Sequence, residues 1–137
     1  MAGASPKIPF WRRWFGSRSE RAAARYLRRL GYRVVARNWS RPLGELDIVA
    51  VDGECIVFVE VRSTEQESTE RPAASVTSEK QRRLTQLALA FLQEHGLLGR
   101  TARFDVLTVS WPPGRRDPRI DHHKNAFPAV GRFQMHS

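Results

Sequence analysis

Gly44-Glu45-Leu46-Asp47-Ile48-Val49-Ala50-Val51-Asp52-Gly53-Glu54-Cys55-Ile56-Val57-Phe58-Val59-Glu60-Val61-Arg62 is the stretch that decides how this chain folds. Its two apolar runs read as strands of a sheet covered on both faces, and Asp52-Gly53 between them is a hairpin signal. Asp47 and Glu60 interrupt positions where apolar side chains belong. An ionised carboxylate in an apolar interior is strongly disfavoured unless it is paired, protonated or bound to a metal.

With Asp52 and Gly53 as a two-residue turn, Val51 faces Glu54, Asp47 faces Phe58 and Glu45 faces Glu60. Side chains alternate along a strand, so Asp47, Glu60, Glu45 and Arg62 are expected on one face. Asp47 and Glu60 are then diagonal neighbours, with Cα atoms roughly 7–8 Å apart. Both could hold one hard cation. A three-residue turn would send the two acids to opposite faces, so the reading depends on register.

Upstream, Ser17-Arg18-Ser19-Glu20 fits a capping box that opens a helix over 17–30. Ala23, Leu27 and Leu30 make its apolar face, Arg21, Arg25, Arg28 and Arg29 fill the remainder, and Gly31 suits the position after its end. Tyr32 to Trp39 predicts a somewhat polar strand near an edge, and Arg41-Pro42-Leu43-Gly44 a turn. Downstream, residues 63–75 lack periodicity and predict a mobile loop that could order over a substrate. A second helix follows, capped by Ser78 with Gln81 three residues on, striped by Leu84, Leu87, Ala88, Phe91 and Leu92, and ended by Gly96. Arg103 to Val109 is another strand, and a short last strand is expected near Ile120. The order αβββαβ predicts an α/β three-layer sandwich with a mixed central sheet between helices.

Composition bounds the class. At 137 residues the chain suits one domain, with 41% hydrophobic and 27% charged residues typical of a soluble globular protein. Residues 17–127 are expected to form that domain, after an arm over 1–16 that contains Pro6, Pro9 and Trp11-Arg12-Arg13-Trp14-Phe15, and before a tail over 128–137. No apolar run approaches the ~20 residues of a membrane span. Arg12 and Arg13 split the apolar residues a signal peptide would need, and the lone Cys55 excludes an internal disulfide. These features predict a cytoplasmic protein.

The net charge of +9 is unevenly spread. Residues 11–41 hold ten arginines against Glu20, whereas 42–79 hold nine acids against two arginines. A basic third beside an acidic centre suits an enzyme that binds a polyanion around a metal pocket. The candidate contacts are Arg21, Arg25, Arg28, Arg37, Lys80 and Lys124. Oxygen ligands favour Mg²⁺ or Mn²⁺, either of which would activate water and neutralise charge during phosphodiester hydrolysis. His122 and His123 are adjacent and cannot point the same way on a strand, so they predict a solvent- or phosphate-facing pair rather than zinc ligands. The chain has neither a Walker-type loop nor a nucleophile elbow.

The chain resembles the YraN family of bacterial proteins. The matching segments are Ser19-Glu20-Arg21-Ala22-Ala23, Gly44-Glu45-Leu46-Asp47-Ile48-Val49-Ala50, Val57-Phe58-Val59-Glu60-Val61-Arg62, Lys80-Gln81-Arg82-Arg83-Leu84, Arg103-Phe104-Asp105-Val106 and His123-Lys124-Asn125-Ala126-Phe127. The resemblance implies a restriction-endonuclease-like, Holliday-junction-resolvase-like fold with a PD-(D/E)xK nuclease core. It implies Asp47 and Glu60 as metal-binding catalytic acids and Glu20 as a further catalytic acid, although the capping box accounts for Glu20 equally well. An ion pair of Asp47 and Glu60 with Arg62 or Arg37 is the structural alternative. Arg62 stands where the motif has lysine. It stays protonated, so it could hold a phosphate but not activate water, and Lys80 is the candidate substitute. The expected function is metal-dependent cleavage of DNA, including branched DNA. The alternative is a nucleic-acid-binding module without hydrolysis, and a third reading is an interaction scaffold whose charge serves solubility. Related resolvases cut symmetric junctions as homodimers, yet no self-complementary apolar stripe is visible in this sequence.

Overall fold

The computed structural model describes residues 17–64 and 76–129. The expected arm over 1–16, the loop from 65 to 75 and the tail from 130 onward lie outside the described residues. The elements, in order, are α1 (Arg18–Arg29), β1 (Arg33–Arg41), β2 (Gly44–Asp52), β3 (Cys55–Thr64), α2 (Ser78–Glu94), β4 (Ala102–Ser110) and β5 (Arg119–Phe127). The strands form one five-stranded sheet in the order β1-β2-β3-β4-β5. Neighbours are antiparallel except β3 and β4, which run parallel because α2 carries the chain back across the sheet between them. The result is a mixed sheet with a helix on each face.

Strand alternation distributes the core. Ile56 and Phe58 pack under α2 with Leu84, Leu87, Phe91 and Leu92, whereas Val57 and Val59 pack under α1 with Ala22, Ala23, Ala24 and Leu27. A sheet covered twice needs apolar side chains at successive positions, which is why β2 and β3 read as continuous runs. Complete burial of a side chain such as Leu27 contributes roughly 1.5–3 kcal/mol.

Local chemistry sets the helix ends. Ser17 Oγ accepts from the Glu20 N–H at 3.1 Å, as the capping box predicts. The Gly31 and Tyr32 N–H groups close the C-terminus of α1 on Arg28 and Leu27 carbonyls, and Gly31 adopts φ +94°, where a side chain would be strained. Leu30, expected in the apolar face, is 48% exposed because the chain turns away at that residue, and the small residues Ala22, Ala24 and Ser19 are buried instead. The cap of α2 is Thr77 rather than Ser78, with its Oγ1 accepting from the Lys80 N–H.

Two further expectations are corrected. Val51 pairs with Ile56 and Asp52 with Cys55, so the turn is Gly53-Glu54. Moving the turn by one residue shifts each partner by two, which preserves the face on which side chains lie. Counted on past the last observed pair, Ile48 with Val59, the same register sets Asp47 opposite Glu60 rather than diagonal to it. The last strand is nine residues long, not short. Its Asp121-His122-His123-Lys124-Asn125 run hid it, because polar residues obscure an apolar pattern.

The single-face expectation fails at Asp47. Leu46 and Val49, three apart, belong to the same core cluster, and so do Ala36 and Trp39 in β1. Alternation therefore loses step in both strands at the level of Asn38 and Asp47, where Asn38 has φ +53°. Glu45, next to Leu46, is turned away from the α2 face that Glu60 occupies. Acids from both sides of the sheet meet where the strands splay.

Candidate functional site

The splayed end of β2 and β3 opens into a cleft of about 690 Å³. It is lined by Ser19 and Glu20 of α1, Asn38, Ser40, Glu45 and Asp47 of β1 and β2, Glu60 and Ser63 of β3, and Lys80 and Arg83 of α2. Carboxylate oxygens of Glu20, Glu45 and Asp47 lie within 4.8 Å of one another. Glu60, only 8% exposed, stands beside Asp47 and forms an ion pair with Lys80.

Each acid is held by its own element. Asp47 Oδ2 accepts the Val61 N–H at 2.9 Å, so its side chain takes the place of a backbone carbonyl where the ladder parts. Glu45 Oε2 accepts from Ser40 Oγ at 3.1 Å across the β1–β2 pair. Glu20 sits in the first turn of α1, and that turn is anchored through Ser19. Ser19 Oγ donates to Ser63 Oγ at 2.7 Å and accepts from Trp111 Nε1 at 2.8 Å, while Arg18 stacks on the Trp111 ring.

Burial pushes the Asp47 carboxyl well above the usual carboxylate range. The adjacent charges of Glu60 and Glu20 add to this, and the Val61 N–H opposes it. A set of mutually repelling oxygen donors, with no cysteine or histidine among them, suits a hard divalent cation rather than zinc.

The structure brings together Asp47, Glu60, Glu20 and Lys80 from the expected set, and Glu45 joins them. The ion-pair partner of Glu60 is Lys80 rather than Arg62 or Arg37. Arg62 is half-buried on β3 level with Thr108 and is not among the residues lining the cleft. Arg21, Arg25 and Arg28 are exposed along α1, Arg37 is half-buried in β1, and Lys124 is exposed on β5 at the far edge of the sheet. Arg83, not among the expected contacts, also lines the cleft, and its position three residues after Lys80 on a helix places both on one face.

A second buried carboxylate was also missed. Asp105, fully buried in β4, accepts from Arg103 Nε at 2.9 Å, from the Asn125 N–H at 2.9 Å and from His122 Nε2 at 2.8 Å. A carboxylate at Nε2 selects the tautomer that leaves His122 Nδ1 to accept from the Tyr26 hydroxyl, 3.1 Å away. Arg103 also reaches Tyr32 and Asp52. His122 is thus an internal residue, contrary to the expected solvent- or phosphate-facing pair. Burial alone would raise the Asp105 carboxyl, but His122, Arg103 and the Asn125 N–H hold it below its ordinary value.

Residues 19–109 match the model of a family described as "Uncharacterised protein family UPF0102". The chain belongs to UPF0102. This is the YraN family of the sequence resemblance. A UPF0102 protein of Desulfosudis oleivorans is 42% identical over 118 residues, which cover 86% of this chain and 93% of that protein. A Geobacter sulfurreducens UPF0102 protein is 46% identical over 114 residues, covering 82% and 87% respectively. Among solved structures, that of Pyrococcus furiosus SfsA in complex with Ca²⁺ aligns with 15% identity and a TM-score of 0.35, over 75% of this chain and 58% of that one. A likeness of that size carries no argument about this UPF0102 chain. Among the described residues, no helix is long and apolar enough to cross a membrane.

Proposed function

We propose that this UPF0102 protein is a metal-dependent nuclease that cleaves DNA, branched DNA included, on a restriction-endonuclease-like fold. The observation that carries the reading is the gathering of Glu20, Glu45 and Asp47 beside Glu60 in one open cleft of a chain with net charge +9. Acids held together where burial first, and the charges of Glu60 and Glu20 after it, raise the Asp47 carboxyl form a poor structural element and a good cation site. Glu20, Glu45 and Asp47 would hold Mg²⁺ or Mn²⁺, with Glu60 behind Asp47. The bound ion would acidify water and neutralise charge that develops on the phosphate. Ser19, Ser63 and Trp111 keep the first turn of α1 in place and so aim Glu20. Val61 aims Asp47, and Lys80 supplies the counter-charge of Glu60. The arginines on the exposed flank of α1 give the polyanion a long-range attraction that salt weakens.

The test is cleavage of a labelled four-way DNA junction and a matched duplex with Mg²⁺, Mn²⁺ or EDTA. Asp47→Ala and Glu60→Ala run beside the wild type, and a gel shift reads binding on the same samples. Metal-dependent cleavage that vanishes in both variants is expected. Binding with every substrate intact would favour the second reading, a nucleic-acid-binding module without hydrolysis. The observation on that side is Arg62, which follows Glu60 where a lysine able to lose its proton is expected.

A further inference from the structure

We infer that Lys80 and Arg83 form the phosphate-holding wall of the cleft, and that this pair of α2, rather than Arg62, receives the phosphate of the polyanion. The inference rests on the metal-dependent reading above. The acids of the cleft repel an anionic phosphate, and positive side chains that line the same cleft would offset that repulsion. Lys80 and Arg83, one helical step apart, both line the cleft, and Arg62 does not.

The two cations are held differently. Lys80 is tied to Glu60, so its ammonium sits at the acidic wall. The stem of Arg83 lies over Gly44, where an added Cβ would be 3.6 Å from Arg83 Cδ and 3.9 Å from Cγ. A stem seated on the start of β2 limits where the guanidinium can go. Among the described residues that guanidinium forms no ion pair, and its planar fork suits two oxygens of one phosphate. A point charge beside the acids and a fork one helical step away on the same cleft lining would hold a phosphate between them. The competing account is that both residues merely balance the acids. It predicts that removing either weakens the fold without a specific effect on polyanion binding.

The experiment compares wild type with Lys80→Gln, Arg83→Gln, Arg62→Gln and the charge-keeping Lys80→Arg. Binding of a labelled oligonucleotide is followed across a salt series in Ca²⁺, and Mn²⁺ affinity is measured separately on each protein. Thermal melts confirm that each variant folds. Losing one phosphate contact should reduce the slope of log affinity against log salt by about 0.7–0.9. That reduction is expected for Lys80→Gln and Arg83→Gln and not for Lys80→Arg. Mn²⁺ should bind Lys80→Gln as tightly as wild type or more tightly, because a positive charge has left the acids. A slope that changes in Arg62→Gln alone, or in none of the variants while Mn²⁺ still binds, overturns the inference and spares the metal reading. Reduced slopes in a protein that never binds Mn²⁺ overturn the metal reading and leave the phosphate wall standing.

Discussion

Asp47 and Asp105 are both aspartates inside apolar strands of one sheet, yet their surroundings push them in opposite directions. Asp105 is met by a guanidinium, an imidazole and a backbone N–H, and its carboxyl is held below the usual range. Asp47 is met by a single backbone N–H and by other acids, and its carboxyl is raised. The first arrangement satisfies a buried charge and stabilises the fold. The second leaves a buried acid crowded by others at the mouth of a cleft, which fits the proposed cation site. An acid in a strand is therefore not by itself a sign of function. Whether its neighbours complete it or compete with it is the distinction.

The largest effect that could break this comparison lies at Asp105. Replacing it with alanine takes from Arg103 its buried charge partner and from His122 Nε2 and the Asn125 N–H their acceptor, leaving Arg103 only Asp52 and Tyr32. Denaturant unfolding should therefore show a loss of about 3 kcal/mol or more. A loss comparable to that of an ordinary surface substitution would mean the network is not structural.

Asp47→Asn should act the other way. Removing a like charge from the cluster should leave the melting temperature equal to or above that of wild type in the absence of metal, while Mn²⁺ binding and any cleavage disappear. A clear fall in melting temperature would show that Asp47 is completed by its neighbours after all.

The pH dependence should separate the two carboxyls by sign. Asp105 has a lowered folded-state value, so its contribution is present above the unfolded value of about 3.9 and is lost as pH falls through the folded value. Asp47 has a raised folded-state value. Its contribution is full below about 3.9 and is lost as pH rises through the folded value. Unfolding free energies measured from acid to neutral pH should therefore fall less toward neutrality in Asp47→Asn than in wild type. Asp105→Asn should instead flatten the acid limb. The same sign for both variants would end the contrast.

The smallest effect belongs to the edge of the satisfied network. Tyr26→Phe removes the hydroxyl that His122 Nδ1 accepts, at a cost of about 0.5–1.5 kcal/mol in urea unfolding. Mn²⁺ affinity should not change, because Tyr26 does not line the cleft.

Much of this was legible along the chain because it depends on neighbours in sequence. The N-cap role of Ser17, the glycines after both helices, and the αβββα order all rest on local chemistry and apolar periodicity. The hairpin turn was misplaced by one residue, since Asp52-Gly53 and Gly53-Glu54 are both good turns and pairing with β1 and β4 takes part in the choice. The fifth strand was undersized because its polar residues are satisfied by Asp105 and Tyr26, partners far away in sequence. Asp105 carries the same signal in the sequence as Asp47 and Glu60, an acid inside an apolar strand run.

Sequence alone determined that Asp47 and Glu60 lie on adjacent strands and that Glu20 opens the first helix, because strand pairing and helix capping follow from short-range patterns. Tertiary structure decided which acids meet. The lost alternation at Asp47, the anchoring of α1 through Ser19, Ser63 and Trp111, and the arrival of Lys80 and Arg83 from α2 are products of packing between elements. Electrostatics within a few ångströms depends on that packing, and no spacing along the chain encodes it.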